Sequence, residues 1–299
     1  MNKAEHFKSG FVAVVGRPNV GKSTMINALI GDKIAIVSDK AQTTRNRIIC
    51  VYTDEEKQIV FMDTPGVHKP KHKLGEFMVD AAIESLKETE AVLFVVAGNE
   101  KRGPGDNFII EQLKRVKVPV FLVVNKIDTL QKEQVLEAIV SYQDAYPFEG
   151  VIPISAKNKE NLSELLNVLG EHLPEGPQYF PEDMITDQPE RLIISDIVRE
   201  KILLSTRDEI PHAIAVDVDE MKTRDDGTTY IRATIYCERD SQKGIIIGNK
   251  GALLRKIGAE ARMDIQKLLA TKVYLDLWVK VKKDWRNKSG MLSELGYKK

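Results

Sequence analysis

Eight residues near the amino end restrict this chain more than any others. Gly16-Arg17-Pro18-Asn19-Val20-Gly21-Lys22-Ser23 fits the spacing GxxxxGK[ST], and Thr24 follows it. An apolar run, Phe11 to Val15, precedes the motif, and a helical pattern, Lys22 to Ile30, continues from it. The eight residues therefore sit at a strand-to-helix turn. Glycine at either end lets consecutive N–H groups turn inward on an anion, and the helix amino end adds favourable partial charge. On a bound polyphosphate, Lys22 would reach the β and γ groups and Ser23 a magnesium ion.

The surrounding pattern supplies the sheet that such a turn needs. Val- and Ile-rich runs recur at Phe11 to Val15, Ile48 to Tyr52, Ile59 to Met62, Ala91 to Ala97, Val120 to Val124 and Val151 to Ser155. Helical patterns fall between them at Leu74 to Lys87, Asp106 to Arg115, Gln131 to Ala145 and Asn161 to His172. Alternation of this kind predicts a mainly parallel sheet covered on both faces. Pro174, Gly176, Pro177, Pro181 and Pro189 then interrupt the pattern and predict a linker over 174–190. Beyond it the order becomes α-β-β-α-α-β: helix Arg191 to Leu204, strands His212 to Glu220 and Tyr230 to Cys237, helices Ser241 to Ile247 and Ala252 to Leu269, and strand Val273 to Val281. The Asp-Gly step in Thr223-Arg224-Asp225-Asp226-Gly227 suits a hairpin between the first two strands. The predicted organisation is an α/β domain over 1–173, the linker, an α+β domain over 191–283 and a tail over 284–299. At roughly 150 residues per domain, 299 residues accommodate this comfortably.

Composition removes several classes. With 42% hydrophobic and 29% charged residues the chain is neither disordered nor fibrous. Its longest apolar runs are far shorter than the ~18 residues of a membrane-spanning helix, and Met1 to Gly10 has no secretory pattern. The expected location is the cytoplasm. Cys50 and Cys237 lack CxxC or His partners, so neither a disulfide framework nor a zinc site is expected, and both read as core residues. The net charge is zero, yet from Ser241 onward fourteen Lys and Arg face five Asp and Glu, so the carboxyl end carries a polyanion-seeking bias.

Three further elements follow the first motif in an order and spacing that resemble the TRAFAC-class GTPases over most of residues 10 to 173. They are Asp63-Thr64-Pro65-Gly66, Asn125-Lys126-Ile127-Asp128 and Ser155-Ala156-Lys157. The resemblance implies that Asp63 reaches magnesium through water and that the Gly66 N–H meets the γ phosphate. Asp128 decides the base, because its carboxylate accepts from both N1–H and N2–H of guanine, whereas adenine offers neither; such a site can reject the wrong base by roughly 10⁴. Ser155-Ala156-Lys157 corresponds to the family's final base-contacting loop. Ala41 to Arg47 corresponds to switch I, with Thr44 favoured as the magnesium-seeking hydroxyl and Thr43 as the alternative. Switch II begins at Gly66, and Val67 stands where many regulatory GTPases carry a water-orienting glutamine, which implies slow intrinsic hydrolysis. In related GTPases a residue at the Asn19 position helps hold potassium beside the phosphates. The catalytic group on this reading is Asn19, Lys22, Thr44 and Gly66; the metal ligands are Ser23, Thr44 and Asp63. His68 and His72 flank Pro70, which argues against a helical metal clamp.

In the second domain, Ile245-Ile246-Ile247-Gly248-Asn249-Lys250-Gly251 before a helix resembles the KH domain of type II, with Gly248 to Gly251 as its GxxG loop. Two glycines let the backbone approach a single-stranded sugar-phosphate chain, Lys250, Arg255 and Lys256 supply counter-charge, and Ile245, Ile246 and Ile257 are expected to line the groove. Ile246, Ile247, Gly248, Asn249, Lys250, Gly251, Arg255 and Lys256 form the candidate RNA-binding set. Trp278 reads as a core or sheet residue rather than a stacking platform. The tail, with Trp285, Arg286 and Lys288, reads equally as an extension of the RNA surface or as a packed terminal helix.

A GTPase domain followed by a type II KH domain resembles the Era family of bacterial GTPases, in the Era/TrmE-like branch, over essentially the whole chain. That resemblance implies GTP/GDP and Mg2+ as ligands with K+ as an accessory ion, and single-stranded rRNA near the 3′ end of the small subunit as partner. It further implies a role in small-subunit (30S) assembly and maturation, a monomer, and a cytoplasmic location with a weakly membrane-associated peripheral fraction. Two other readings stay open on the residues alone. One is a signalling GTPase whose basic domain docks on protein or anionic lipid; the other is an RNA-binding protein using GTP only as a structural ligand.

Overall fold

The structure is a computed structural model describing residues 6–32, 34–36, 43–66 and 72–297. It divides in the main into one unit running to Asp187 and another from Gln188 onward.

The first unit alternates strands and helices: β1 (Lys8–Val15), α1 (Lys22–Ile30), β2 (Ile48–Thr53), β3 (Lys57–Asp63), α2 (Lys73–Glu84), β4 (Ala91–Ala97), α3 (Pro104–Leu113), β5 (Val120–Asn125), α4 (Lys132–Gln143), β6 (Gly150–Pro153) and α5 (Leu162–His172). The sheet runs β2-β3-β1-β4-β5-β6. All neighbours are parallel except β2, which pairs antiparallel with β3. That exception is local: Asp54 Oδ1 accepts from the amides of Glu56 and Lys57 at 2.9 and 2.8 Å, closing a turn too short for a crossover. Every residue of β4 and β5 is buried, because both sheet faces are covered. Val12, Val14, Leu93 and Val95 join one apolar layer, and Ala13, Val15, Val92 and Phe94 the other.

Three predicted boundaries shift for physical reasons. α3 begins at Pro104, since proline fits a first helical turn and Asp106 Oδ2 accepts the Gly103 amide at 2.8 Å. β6 is shorter than expected and ends at Pro153. Much of the predicted linker is seated on the first unit: Val51 N–H donates to Ile185 O (2.9 Å), Thr186 Oγ1 to Ile49 O (2.7 Å) and Gly176 N–H to Phe7 O (2.9 Å). The buried Gln58 amide completes this seam, donating to Phe180 O and accepting from the Tyr179 and Phe180 amides. Backbone groups of a proline-rich stretch still need partners, and the open side of β2, Phe7 and the Gln58 side chain supply them.

The second unit contains α6 (Glu190–Ser205), α7 (Ile210–Ala213), β7 (Ala215–Thr223), β8 (Thr229–Cys237), α8 (Asp240–Ile247), α9 (Ala252–Leu269), β9 (Val273–Val281) and α10 (Ser289–Glu294). Its sheet runs β7-β8-β9, antiparallel then parallel. Ile194, Val198, Ile231, Ile235, Ile257 and Ile265 belong to the core between sheet and helices. α7 was not expected. Pro211 lies in its first turn, so the following strand opens at Ala215 instead of His212. The tail packs: Trp285 is fully buried and its Nε1 donates to Ala213 O at 2.9 Å. Trp278 corrects the core half of its reading, being a sheet residue that is 52% exposed. Both cysteines are buried.

Candidate functional site

The carboxyl ends of β1, β3 and β5 deliver the first motif, Asp63 and Asn125 to one edge of the sheet. The turn after β1 is shaped by left-handed backbone at Asn19 (φ 65°) and Gly21 (φ 97°). Any side chain on Gly21 would strike Asn125, and one on Gly16 would strike the Val95 carbonyl. α1 opens at Gly21 with no side-chain cap and no acidic residue in its first turn, which leaves its N–H groups and positive dipole end for an anion.

Lys22 is buried and its Nζ donates to the carbonyls of Gly16 and Arg17, both at 3.1 Å. Burial pulls the ammonium down from its ordinary value to about 8, against the pull of Asp63. Ser23, Thr44 and Asp63 converge beside it. Asp63 Oδ2 accepts from Ser23 Oγ at 2.7 Å and Thr44 Oγ1 at 3.2 Å, and the two hydroxyls lie 2.9 Å apart. Desolvation lifts the Asp63 carboxyl above its usual range, opposed by Lys22 and the two hydroxyls. Among the described residues, its other oxygen, Oδ1, is buried without closing a hydrogen bond. Hard oxygen donors with one buried oxygen unspent suit magnesium, which Ser23, Thr44 and Asp63 would hold. Thr43, the alternative, is half-buried.

Not every predicted residue faces this cluster. Thr64 turns inward, its hydroxyl donating to Val14 O at 2.7 Å. Gly66 lies against Pro18, leaving no room there for a side chain. Arg17 points away to an ion pair with buried Asp106 (2.9 Å) and a second with Glu100 (3.0 Å). Asn19 is exposed, and Val20 packs in the core. Thr24 lies in α1 and Pro65 in the loop after β3, where the sequence puts them. Val67 and His68 lie outside the described residues.

The base-reading loops are joined through Asn125. Its Nδ2 donates to Val20 O at 2.9 Å, and its Oδ1 accepts from the Lys126 and Ala156 amides at 2.8 and 3.0 Å. One amide thereby ties all three loops. Asp128 Oδ1 accepts from Ser155 Oγ at 2.7 Å, which fixes the carboxylate edge. Lys126 has left-handed backbone (φ 68°) and its Nζ is 3.6 Å from Glu100. Ala156 is buried and Lys157 exposed. Sequence reasoning missed Glu100, Asp106 and Asn27. Asn27 Oδ1 accepts from the Ile34 and Ala35 amides at 3.1 and 2.9 Å, holding the segment after α1. No local pattern marks Glu100 or the pairing of Asp106 with Arg17, because those partners lie on separate loops.

In the second unit, the Gly248-to-Gly251 loop uses positive φ at Gly248 (72°), Lys250 (46°) and Gly251 (77°). A side chain on Gly248 would meet Leu253, whereas among the described residues no atom lies within 4 Å of one built on Gly251, so that backbone is open to a ligand. Arg255 folds back, Nη2 donating to Lys250 O at 3.0 Å, and Lys256 is exposed near Glu260. A groove of about 560 Å³ runs from Lys250 and Gly251 past Leu254, Arg262, Tyr274 and Leu277. This revises the expected lining. Ile246 and Ile257 are fully buried in the core and Ile245 is 53% exposed, since α8 and α9 turn those isoleucines away. Ile247 is half-buried and Asn249 exposed. Helical spacing after Gly251 could have pointed to Leu254, Gly258 and Arg262, which share one face.

Comparison with known proteins supports the two-unit reading. Residues 11–126 match the family model described as a 50S ribosome-binding GTPase, and residues 209–286 match the KH domain. A crystal structure of a variant of Aquifex aeolicus Era bound to GDP and AlF4− is 43% identical with a TM-score of 0.94, covering 97% of this chain and 99% of that one. An Era structure in complex with MgGDPNP and nucleotides 1506–1542 of 16S ribosomal RNA is also 43% identical, with a TM-score of 0.95 and coverage of 98% and 99%. With identity of that order along nearly the whole of both chains, this chain belongs to the Era family of GTPases.

Proposed function

We propose that the protein binds GTP, hydrolyses it slowly to GDP and phosphate, and couples that cycle to binding single-stranded rRNA near the 3′ end of the small subunit during 30S assembly and maturation. One observation carries the nucleotide half: the hydroxyls of Ser23 and Thr44 meet the buried Asp63 carboxylate beside Lys22, at the uncapped start of α1. A magnesium ion bound there would offset phosphate charge. On this reading Lys22 would hold the β and γ phosphates, the Gly66 N–H would meet the γ phosphate, and Asp128, oriented by Ser155, would select guanine. Asn19 is carried as the potassium-holding residue on the family resemblance. The open backbone at Gly251 and the groove beside it support the RNA half, as does the 16S complex of the Era relative. The match to a 50S ribosome-binding GTPase covers residues 11–126, within the nucleotide unit alone.

Linkage requires that if GTP changes RNA affinity, RNA changes nucleotide affinity by the same factor. The test is single-turnover hydrolysis with magnesium, with and without 3′-terminal small-subunit rRNA. Slow turnover of GTP, weak binding of ATP and a rate that responds to RNA are expected; equal retention of ATP and GTP, or no hydrolysis in either condition, would refute the proposal. A cytoplasmic location with a loosely membrane-bound fraction and action as a monomer rest on the family resemblance, and are tested by cell fractionation and sedimentation. Among the described residues no helix is long and apolar enough to cross a membrane.

A further inference from the structure

Arg17 belongs to the phosphate loop but sends its charge out of it. Its Nε donates to Asp106 Oδ1 at 2.9 Å and its Nη2 to Glu100 Oε2 at 3.0 Å. Asp106 is fully buried in the first turn of α3, where its second oxygen, Oδ2, accepts the Gly103 amide at 2.8 Å. One carboxylate thus starts the helix and holds the loop. The arginine stem lies across the same turn, since a Cβ on Gly105 would come 2.9 Å from Arg17 Cδ. A carboxylate so deeply buried must stay paired, which makes this contact a fixed one.

The guanidinium also reaches toward the base loop. Glu100, in the turn after β4, lies between Arg17 and Lys126, with Oε1 3.6 Å from Lys126 Nζ, and Lys126 stands two residues before Asp128. Asp106, Arg17, Glu100 and Lys126 form a line of alternating charge from the interior outward, joining the phosphate loop to the base loop. The other cations nearby are directed elsewhere. Arg102 donates to Asn107 Oδ1 at 2.7 Å and lies over the Tyr142 ring, Lys101 is exposed, and Lys22 donates to the carbonyls of Gly16 and of Arg17 itself. The Arg17 main chain therefore helps to set where the Lys22 ammonium sits.

A loop with left-handed backbone at Asn19 and Gly21 is costly to keep in one shape. An anchor already in place lowers the ordering cost that nucleotide binding must meet. We propose that Asp106 is a positioning residue for the nucleotide, holding the phosphate loop in its receiving shape through Arg17, and that Glu100 extends this brace to Lys126. The brace governs how long nucleotide stays bound and not the chemistry at the γ phosphate, because both carboxylates are directed to Arg17, Gly103 and Lys126 and not to Ser23, Thr44 and Asp63. It presupposes the nucleotide reading above.

Release of fluorescently labelled GDP from full-length protein is measured alongside single-turnover hydrolysis over a range of GTP concentrations. Arg17→Met and Asp106→Asn should each speed GDP release and raise the half-saturating GTP concentration roughly tenfold, with hydrolysis at saturation within about twofold of wild type. The double variant should be no worse than either single one, since each change breaks the same contact. Glu100→Ala, at an exposed site, should release GDP about threefold faster at low salt and at the wild-type rate in roughly 0.5 M salt. Should a buried variant fail to fold, Arg17→Lys, which leaves Asp106 a cation but gives up the two-pronged hold, should still release GDP faster than wild type. Unchanged release in these variants, additive effects in the double variant, or an equal loss of saturated hydrolysis would overturn the positioning role while leaving the nucleotide reading intact. If wild type itself holds no guanine nucleotide, that reading falls and the brace with it.

Discussion

Lys22 makes nucleotide binding a protonation event. Buried among carbonyls, its ammonium is half-neutral near pH 8, whereas a polyphosphate favours the charged form. Binding must therefore draw a proton from solution. At pH 8 the uptake should be about half a proton per nucleotide, and between pH 7 and 8.5 affinity should fall about fourfold, close to 0.8 kcal/mol. The assay is isothermal titration with GDP at pH 8 in two buffers of different ionisation enthalpy. Magnesium is omitted so that no metal drives titration of Asp63. Binding heat should differ between buffers by about half the difference in their ionisation enthalpies, and Lys22→Met should bind weakly with no buffer dependence. Identical heats in both buffers would refute the assignment of a depressed lysine to this position.

Other consequences are as specific. Burial raises the Asp63 carboxyl above its normal value, so its ionised form costs stability, and that cost grows as pH rises from about 4 through the raised value. Asp63→Asn should then raise the melting temperature of nucleotide-free protein while abolishing magnesium-dependent GTP binding; a lowered melting temperature would contradict this. Asn125→Ala removes three hydrogen bonds and leaves the buried Val20 carbonyl and Ala156 amide without this partner. It should cost about 2–4 kcal/mol, seen both in thermal stability and in GDP affinity. Asp128→Ala should bind GTP and inosine triphosphate, which lacks the exocyclic amine, with nearly equal affinity in a competition assay, whereas wild type prefers GTP by tenfold or more. Replacing potassium with sodium should slow hydrolysis in wild type but not in Asn19→Ala; equal rates in the two salts would remove Asn19 from the catalytic group.

Much of this architecture is legible in local spacing. The eight-residue turn, Asp63-Thr64-Pro65-Gly66 and the Gly248-to-Gly251 loop are contiguous, and each needs glycine where the backbone turns or an approaching group leaves no room. What spacing cannot show is partnership across loops. Arg17 reads as a phosphate-loop residue, yet its guanidinium goes to Asp106, 89 positions away. Asn125 reads as a base-contacting residue, yet its amide spans the phosphate and base loops. The Ile245-Ile246-Ile247 run suggests an apolar groove, but consecutive residues on a helix point in different directions, and Ile246 enters the core. Trp278 was recoverable. In Tyr274-Leu275-Asp276-Leu277-Trp278-Val279-Lys280-Val281 the odd positions are aliphatic, and a period of two sends the even ones to the other face.

The seam between residues 174–187 and the first unit has a consequence for β2. As the outermost strand of its sheet, β2 would otherwise display a row of bare N–H and C=O groups, a template on which another molecule could add its own strand. Ile185 and Thr186 occupy that row. A fragment cut after Leu173 would keep every nucleotide-facing residue and still be sticky, associating through β2 as its concentration rises, whereas a fragment extended to Asp187 would stay dispersed.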